Sequence, residues 1–196
     1  LTCGYRGSAL PGDASWFEVP DCDAVCTDPR WPPGAARILQ EARTRGIPSV
    51  LDAELTEGEI LEGLVPLASH AVFSESGLAA WRPGPPEQAL RIAVSAGATI
   101  AAVTRGEHGV LCWDGSSFLE LPSYRVEVRD TTGAGDTYHG ALAAALAAAL
   151  ALPDALRFAA AAAAVLVSRA GPDRENAPRA EIEDLIARQP LTPRVT

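Results

Sequence analysis

From Asp23 onward the hydrophobic positions fall in short runs separated by longer mixed stretches. Ala24-Val25-Cys26-Thr27 has the pattern of a short buried strand. The proline-rich turn Asp28-Pro29-Arg30-Trp31-Pro32-Pro33 comes next, then a helix predicted over residues 35–45 and stopped by Gly46. Residues 47–51 predict a second strand, ending at Asp52. Residues 57–68 predict a second helix. Ala71-Val72-Phe73 predicts a strand ending at Ser74. A Pro/Gly loop then leads to a helix over residues 87–96, stopped by Gly97, and to a strand over residues 99–103 that ends at Thr104. Upstream, Trp16-Phe17-Glu18-Val19 predicts an edge strand.

After Thr104 the order changes. Val110–Trp113, the Asp114-Gly115 turn and Phe118–Leu121 predict a hairpin. Residues 124–128 continue the sheet in this reading. Two alanine-dominated helices follow, over about residues 137–151 and 153–169, closed by Ala170-Gly171-Pro172. A short helix over residues 180–188 and a frayed tail after Pro190 complete the chain. Strands alternating with helices predict βαβ units. The fold class is therefore α/β: a doubly wound, mostly parallel sheet flanked by helices, with a terminal β-hairpin region. The 196 residues suit one domain. Ligands of such sheets collect beyond the carboxyl ends of the strands. Asp28, Asp52, Ser74 and Thr104 fall there.

Composition narrows the chemistry. The net charge of -9 disfavours nucleic acid and anionic membranes as partners. All 16 basic residues are Arg, so no P-loop lysine or Schiff-base lysine exists here. Cys3, Cys22, Cys26 and Cys112 lack zinc-site spacing and read as reduced thiols of a cytoplasmic protein. The alanine-rich runs are too short and too weakly apolar to span a bilayer.

The candidate site is Asp130-Thr131-Thr132-Gly133-Ala134-Gly135-Asp136-Thr137-Tyr138-His139-Gly140. A glycine turn entering a helix exposes N–H groups and the positive end of the macrodipole, which makes an anion site. A carboxylate in such a site repels a bound phosphate. Asp136 is placed sensibly there only if it faces the nucleophile that attacks the phosphate. His139 is read as a helix-surface side chain.

The stretch from Asp130 to Tyr138 resembles the C-terminal signature of the PfkB/ribokinase family of carbohydrate and nucleoside kinases. The resemblance implies a ribokinase-like fold and an anion hole built by Gly133, Ala134 and Gly135. It also implies that Asp136 is the base that accepts the proton of the substrate hydroxyl. Thr104-Arg105-Gly106-Glu107-His108-Gly109 is similar to the family's phosphate-holding turn, which makes Thr104 and Gly106 nucleotide contacts. Arg105 is read as either a supplier of positive charge or a solvated surface group. The loops at Asp130 and Thr132 and at Arg169 and Gly171 resemble the family's monovalent-cation loops. Asp130 reads equally well as a turn-capping carboxylate.

The implied function is ATP-dependent phosphorylation of a hydroxyl on a small sugar, with Mg2+ and with K+ as the monovalent cation. Nucleic acid and membrane are excluded as partners, and a homodimer is left open. One departure stands out. The family's N-x-x-E motif, which organises Mg2+ through water, is replaced by Ser74-Glu75-Ser76-Gly77. Glu75 in a shifted role, or nucleotide oxygens with Asp52, would then serve the metal. A serine at this place resembles the ketohexose-type kinases of the family, a resemblance that leans toward a ketose acceptor. The resemblance begins near Asp23, and the family's lid and N-terminal substrate signature are not in the chain, so the domain over residues 1–196 is expected to be incomplete at its start. A nucleoside kinase of the same fold and a non-catalytic nucleotide-binding regulator are the alternatives.

Overall fold

The structure, a computed structural model, describes residues 12–54, 56–170 and 177–196. Among these, one sheet runs in the order β1 to β7, which is also chain order. β1 (Val25–Thr27), β2 (Ser49–Ala53), β3 (His70–Ser74) and β4 (Ile100–Thr104) are parallel. β5 (Val110–Trp113), β6 (Phe118–Leu121) and β7 (Arg194–Val195) add antiparallel strands beyond β4. The parallel strands therefore end together on one rim, which the candidate site occupies.

The period-two alternation of strand side chains divides the core. Leu51, Ala53, Ala71, Phe73, Ala101, Val103, Leu111 and Trp113 face one side. They pack on α1 (Pro32–Arg45), α2 (Gly58–Leu64) and α4 (Pro86–Ala96) through Leu39, Leu61 and Leu90. Val50, Val72, Ala102, Val110 and Cys112 face the other side, against α5 (Ala134–Ala147) and α6 (Leu152–Val167). Phe73 is fully buried, and its truncation to Ala would cost about 3–5 kcal/mol. The many alanines of α5 and α6 let the two helices approach closely while both cover the sheet.

Several boundaries differ from the sequence reading for identifiable reasons. α1 begins at Pro32, because proline's missing N–H costs nothing in a first turn. It ends at Gly46, whose φ of 68° suits the left-handed cap. Residues 16–19 form no strand: a turn from Phe17 N–H to Ala14 O leads into them, and Trp16 stacks on Trp31. The segment after Ser74 is not a loop but α3 (Glu75–Trp81), capped by the Ser74 hydroxyl, which accepts from Gly77 N–H at 3.0 Å.

Residues 124–128 are not in the sheet. Their backbone is held by the Gln189 amide, which donates to Arg125 O and accepts from Arg125 N–H. Nor is the chain after Pro190 frayed, since Arg194–Val195 pairs with β6. Near the C-terminus, α7 (Arg179–Arg188) buries Ile182 and Leu185 beside α6. Cys3 and the Gly171-Pro172 stop lie outside the described residues. Cys22, Cys26 and Cys112 are free thiols.

Candidate active site

Gly133 makes the turn into α5. Its φ of 73° and ψ of 9° lie in the left-handed region, where a side chain would be strained. Ala134 N–H is taken by Thr131 O at 3.1 Å, and Thr137 N–H by Gly133 O at 2.9 Å. Among the described residues, the N–H groups of Gly135 and Asp136 have no acceptor. Within the first turn of α5 these two N–H groups are the ones left open to a ligand. Ala134 N–H, an anion-hole donor in the sequence analysis, is already used by the turn itself. Asp136 and Gly135 are both exposed at the start of α5, where a carboxylate or a bound anion meets the positive end of the helix.

α5 packs on β2 and β1, which brings Asp136 to the ends of those strands. Arg30 lies there, with Nη1 2.9 Å from Asp28 and Nη2 2.7 Å from Glu54. The charges of Asp28, Glu54, Asp136 and Asp52 raise the Arg30 pKa. Asp52 is pushed up to about 6, first by burial and then by Glu54, Asp136 and Asp28, with His139 opposing them. The rim around Asp136 is therefore a crowded set of carboxylates with one guanidinium among them.

His139 is not on the surface. It is 3% exposed, and its Nε2 lies 3.4 Å from Asp52 Oδ1. Sequence reasoning missed this because α5 is covered on two sides, by the sheet and by α6, so its alanines reveal no outer face.

The loop of the second candidate set is partly described. Asp130 Oδ1 accepts from Thr132 N–H at 2.9 Å, which is the capping turn. The N–H groups of Arg129 and Asp130 both donate to Val167 O, so this loop lies against the end of α6. Arg169 follows that end and its side chain pairs with Glu181 on α7. Gly171 lies outside the described residues.

Thr104 ends β4, and its hydroxyl donates to Phe73 O at 3.3 Å. Gly106 opens a short 3-10 turn, Gly106–His108, closed by Arg105 N–H to Gly109 O at 2.8 Å. Arg105 is neither a loose surface group nor an unpaired cation: Nη2 lies 2.9 Å from Glu120 on β6. It also lines a cavity of about 250 Å3 with Glu75, Leu78, Arg82 and Val103, on the α3 side of the rim. The Thr104 turn and the Asp136 turn thus sit on the same rim, over different strands.

Among the described residues, no group of three His, Cys, Asp or Glu side chains is placed to hold a metal ion. Asp52 is turned to His139, and Glu75 sits in the first turn of α3. No described helix is long and apolar enough to cross a membrane.

The chain is similar to several known proteins. Residues 21–179 match the model of the pfkB family carbohydrate kinases. The chain is 38% identical over 151 residues to the bifunctional protein HldE of Pseudomonas aeruginosa, covering 72% of this chain and 30% of that protein. A solved Agrobacterium tumefaciens structure, named as a candidate ribokinase, is 34% identical with a TM-score of 0.79; the match covers 85% of this chain and 56% of that one. Arabidopsis thaliana ribokinase, solved with ribose and ATP, shares the fold at 23% identity and a TM-score of 0.73, over 84% of this chain and 55% of its own. The chain spans about a third of the curated relatives it matches and just over half of these structures. With most of its length matched by one family model, the chain belongs to the pfkB family of carbohydrate kinases.

Proposed function

We propose that this chain carries the phosphoryl-transfer machinery of an ATP-dependent kinase whose acceptor is a hydroxyl of a small sugar, within one α/β unit. The observation that carries this reading is the open pair of donors, Gly135 and Asp136 N–H, at a left-handed glycine turn beside the exposed Asp136 carboxylate. ATP, when bound, supplies the phosphoryl group. The open N–H groups hold the charge on that group, which is where fixed dipoles are worth most. The Asp136 carboxylate accepts the proton of the attacking hydroxyl. Thr104 and Gly106 hold the more distant phosphates. The rest of the work is positioning.

Mg2+ keeps several of its waters, so nucleotide oxygens would supply most of its other ligands and the protein few. Ser74 supports no choice of sugar, because its hydroxyl is used as the cap of α3. Ketoses, aldoses and nucleosides are therefore all candidate acceptors. The test is a coupled ATP-consumption screen across those three classes. Turnover confined to sugars supports the reading. Turnover confined to nucleosides, or ATP binding with no turnover on any class, would replace it with one of the two alternatives.

A further inference from the structure

The chemistry above makes no use of His139 or Asp52, although both are largely buried beside the catalytic turn. His139 Nδ1 lies 2.7 Å from Gly135 O. Its Nε2 lies 3.3 Å from Val72 O and 3.4 Å from Asp52 Oδ1. A carbonyl oxygen can only accept, so Nδ1 must carry a hydrogen. On the other side Val72 O can likewise only accept, so Nε2 donates to it, with Asp52 Oδ1 standing beside the same nitrogen. Asp28, Glu54 and Asp136 surround the pair, with Arg30 as the nearby cation.

The partner of Nδ1 gives the pair its meaning. Gly135 O and Asp136 N–H belong to the same peptide group, which is planar and trans. Fixing the oxygen fixes the direction of the N–H at the opposite edge of that plane. This N–H is one of the two open donors of the anion turn. It lies in the first turn of α5, where an N–H has no intrahelical acceptor.

We propose that His139 is a positioning residue: held by Asp52 and Val72 of the sheet, it grips Gly135 O and so aims the Asp136 N–H at the phosphoryl anion. The proposal rests on the kinase reading for what the N–H binds, but not for the grip itself.

The experiment uses this chain with ATP as the probe. The ring of His139 is observed by 15N NMR at pH 7, with the Asp136 backbone amide as a local reporter. Three variants are compared. His139→Asn places an amide donor near the Nδ1 position, His139→Gln places one near the Nε2 position, and His139→Ala removes both. The expected results are a protonated Nδ1, wild-type ATP affinity in the Asn variant, and about tenfold weaker binding in the Gln and Ala variants. The Asp136 amide shift should move in the Gln and Ala variants alone.

A purely structural histidine would not separate Asn from Gln. An unprotonated Nδ1, or Asn and Gln behaving alike, would overturn the proposal. The wild-type ring spectrum and the Asn–Gln comparison stand even if the Ala variant does not fold. If wild-type protein bound no ATP, the kinase reading would fall, while the ring and the Asp136 amide would still decide the grip.

Discussion

His70 Nδ1 lies 2.9 Å from the Ser69 hydroxyl, at the start of a strand that is buried on both faces. Burial keeps this imidazole neutral and lowers its pKa from 6.5 to about 4. The unfolded chain then binds more protons between those two values, so the contribution of His70 is complete above about pH 6.5 and is lost as pH falls toward 4. Asp52 works in the opposite sense. Its carboxyl is raised from 3.8 to about 6, mainly by burial, so its contribution grows as pH falls through that window.

The first prediction follows from this opposition. In urea melts between pH 7 and 4, His70→Gln should remove an acid-linked loss of up to about 3 kcal/mol, taking 1.36 kcal/mol per pKa unit. The variant's stability should then fall less with acid than that of the wild type. Parallel curves would contradict a buried neutral His70.

The second prediction separates the two glycines of the Thr104 turn. Gly109 has a φ of 79° and a ψ of -140°, and an added Cβ would sit 2.0 Å from Leu121 O. Gly109→Ala should cost about 3 kcal/mol or more, by backbone strain and overpacking together. Gly106, at a φ of 54°, has open space around its Cα, so Gly106→Ala should cost only about 1 kcal/mol. Thermal melts of both variants check this. Equal costs would mean that the turn adjusts, and Gly109 would not be fixed by Leu121.

The third prediction concerns the loop at Asp130, which the Val167 carbonyl holds against the end of α6. If the two loops share a cation, K+ should raise turnover above Na+ or Li+ at fixed ionic strength. Indifference to the choice of ion would remove the cation from the account, leaving Asp130 as the cap for Thr132.

Legibility in the sequence tracked the strength of the local signal. The β5–β6 hairpin was readable to the residue, because Asp114-Gly115 marks the turn; the loop runs on to Ser117, with Asp114 Oδ1 accepting from Ser116 and Ser117 N–H. The strand ends at Ser74 and Thr104 were readable, and that at Asp52 to within one residue, because buried parallel strands are short apolar runs. α3 was not, since seven residues show no helical period. Its Gly77 instead reflects a close approach, with an added Cβ only 2.5 Å from Ala53 O. Residues 124–128 looked like a strand because alternation follows from one covered face. The cover is helical, and Tyr124 packs with α6 and α7. In the candidate site, Asp136 and the glycine turn were legible from chain-local chemistry. The place of His139 depends on Val72, 67 positions away, and no local pattern encodes that.

The central claim is that Asp136 acts on the attacking hydroxyl, not on nucleotide binding. The most direct measurement compares kcat and ATP affinity in wild type and Asp136→Asn, with the best acceptor from the screen. The account predicts that kcat falls by about a thousandfold, within the usual range for a lost general base, while the ATP Kd stays near that of the wild type. Near-normal turnover in the Asn variant would contradict it.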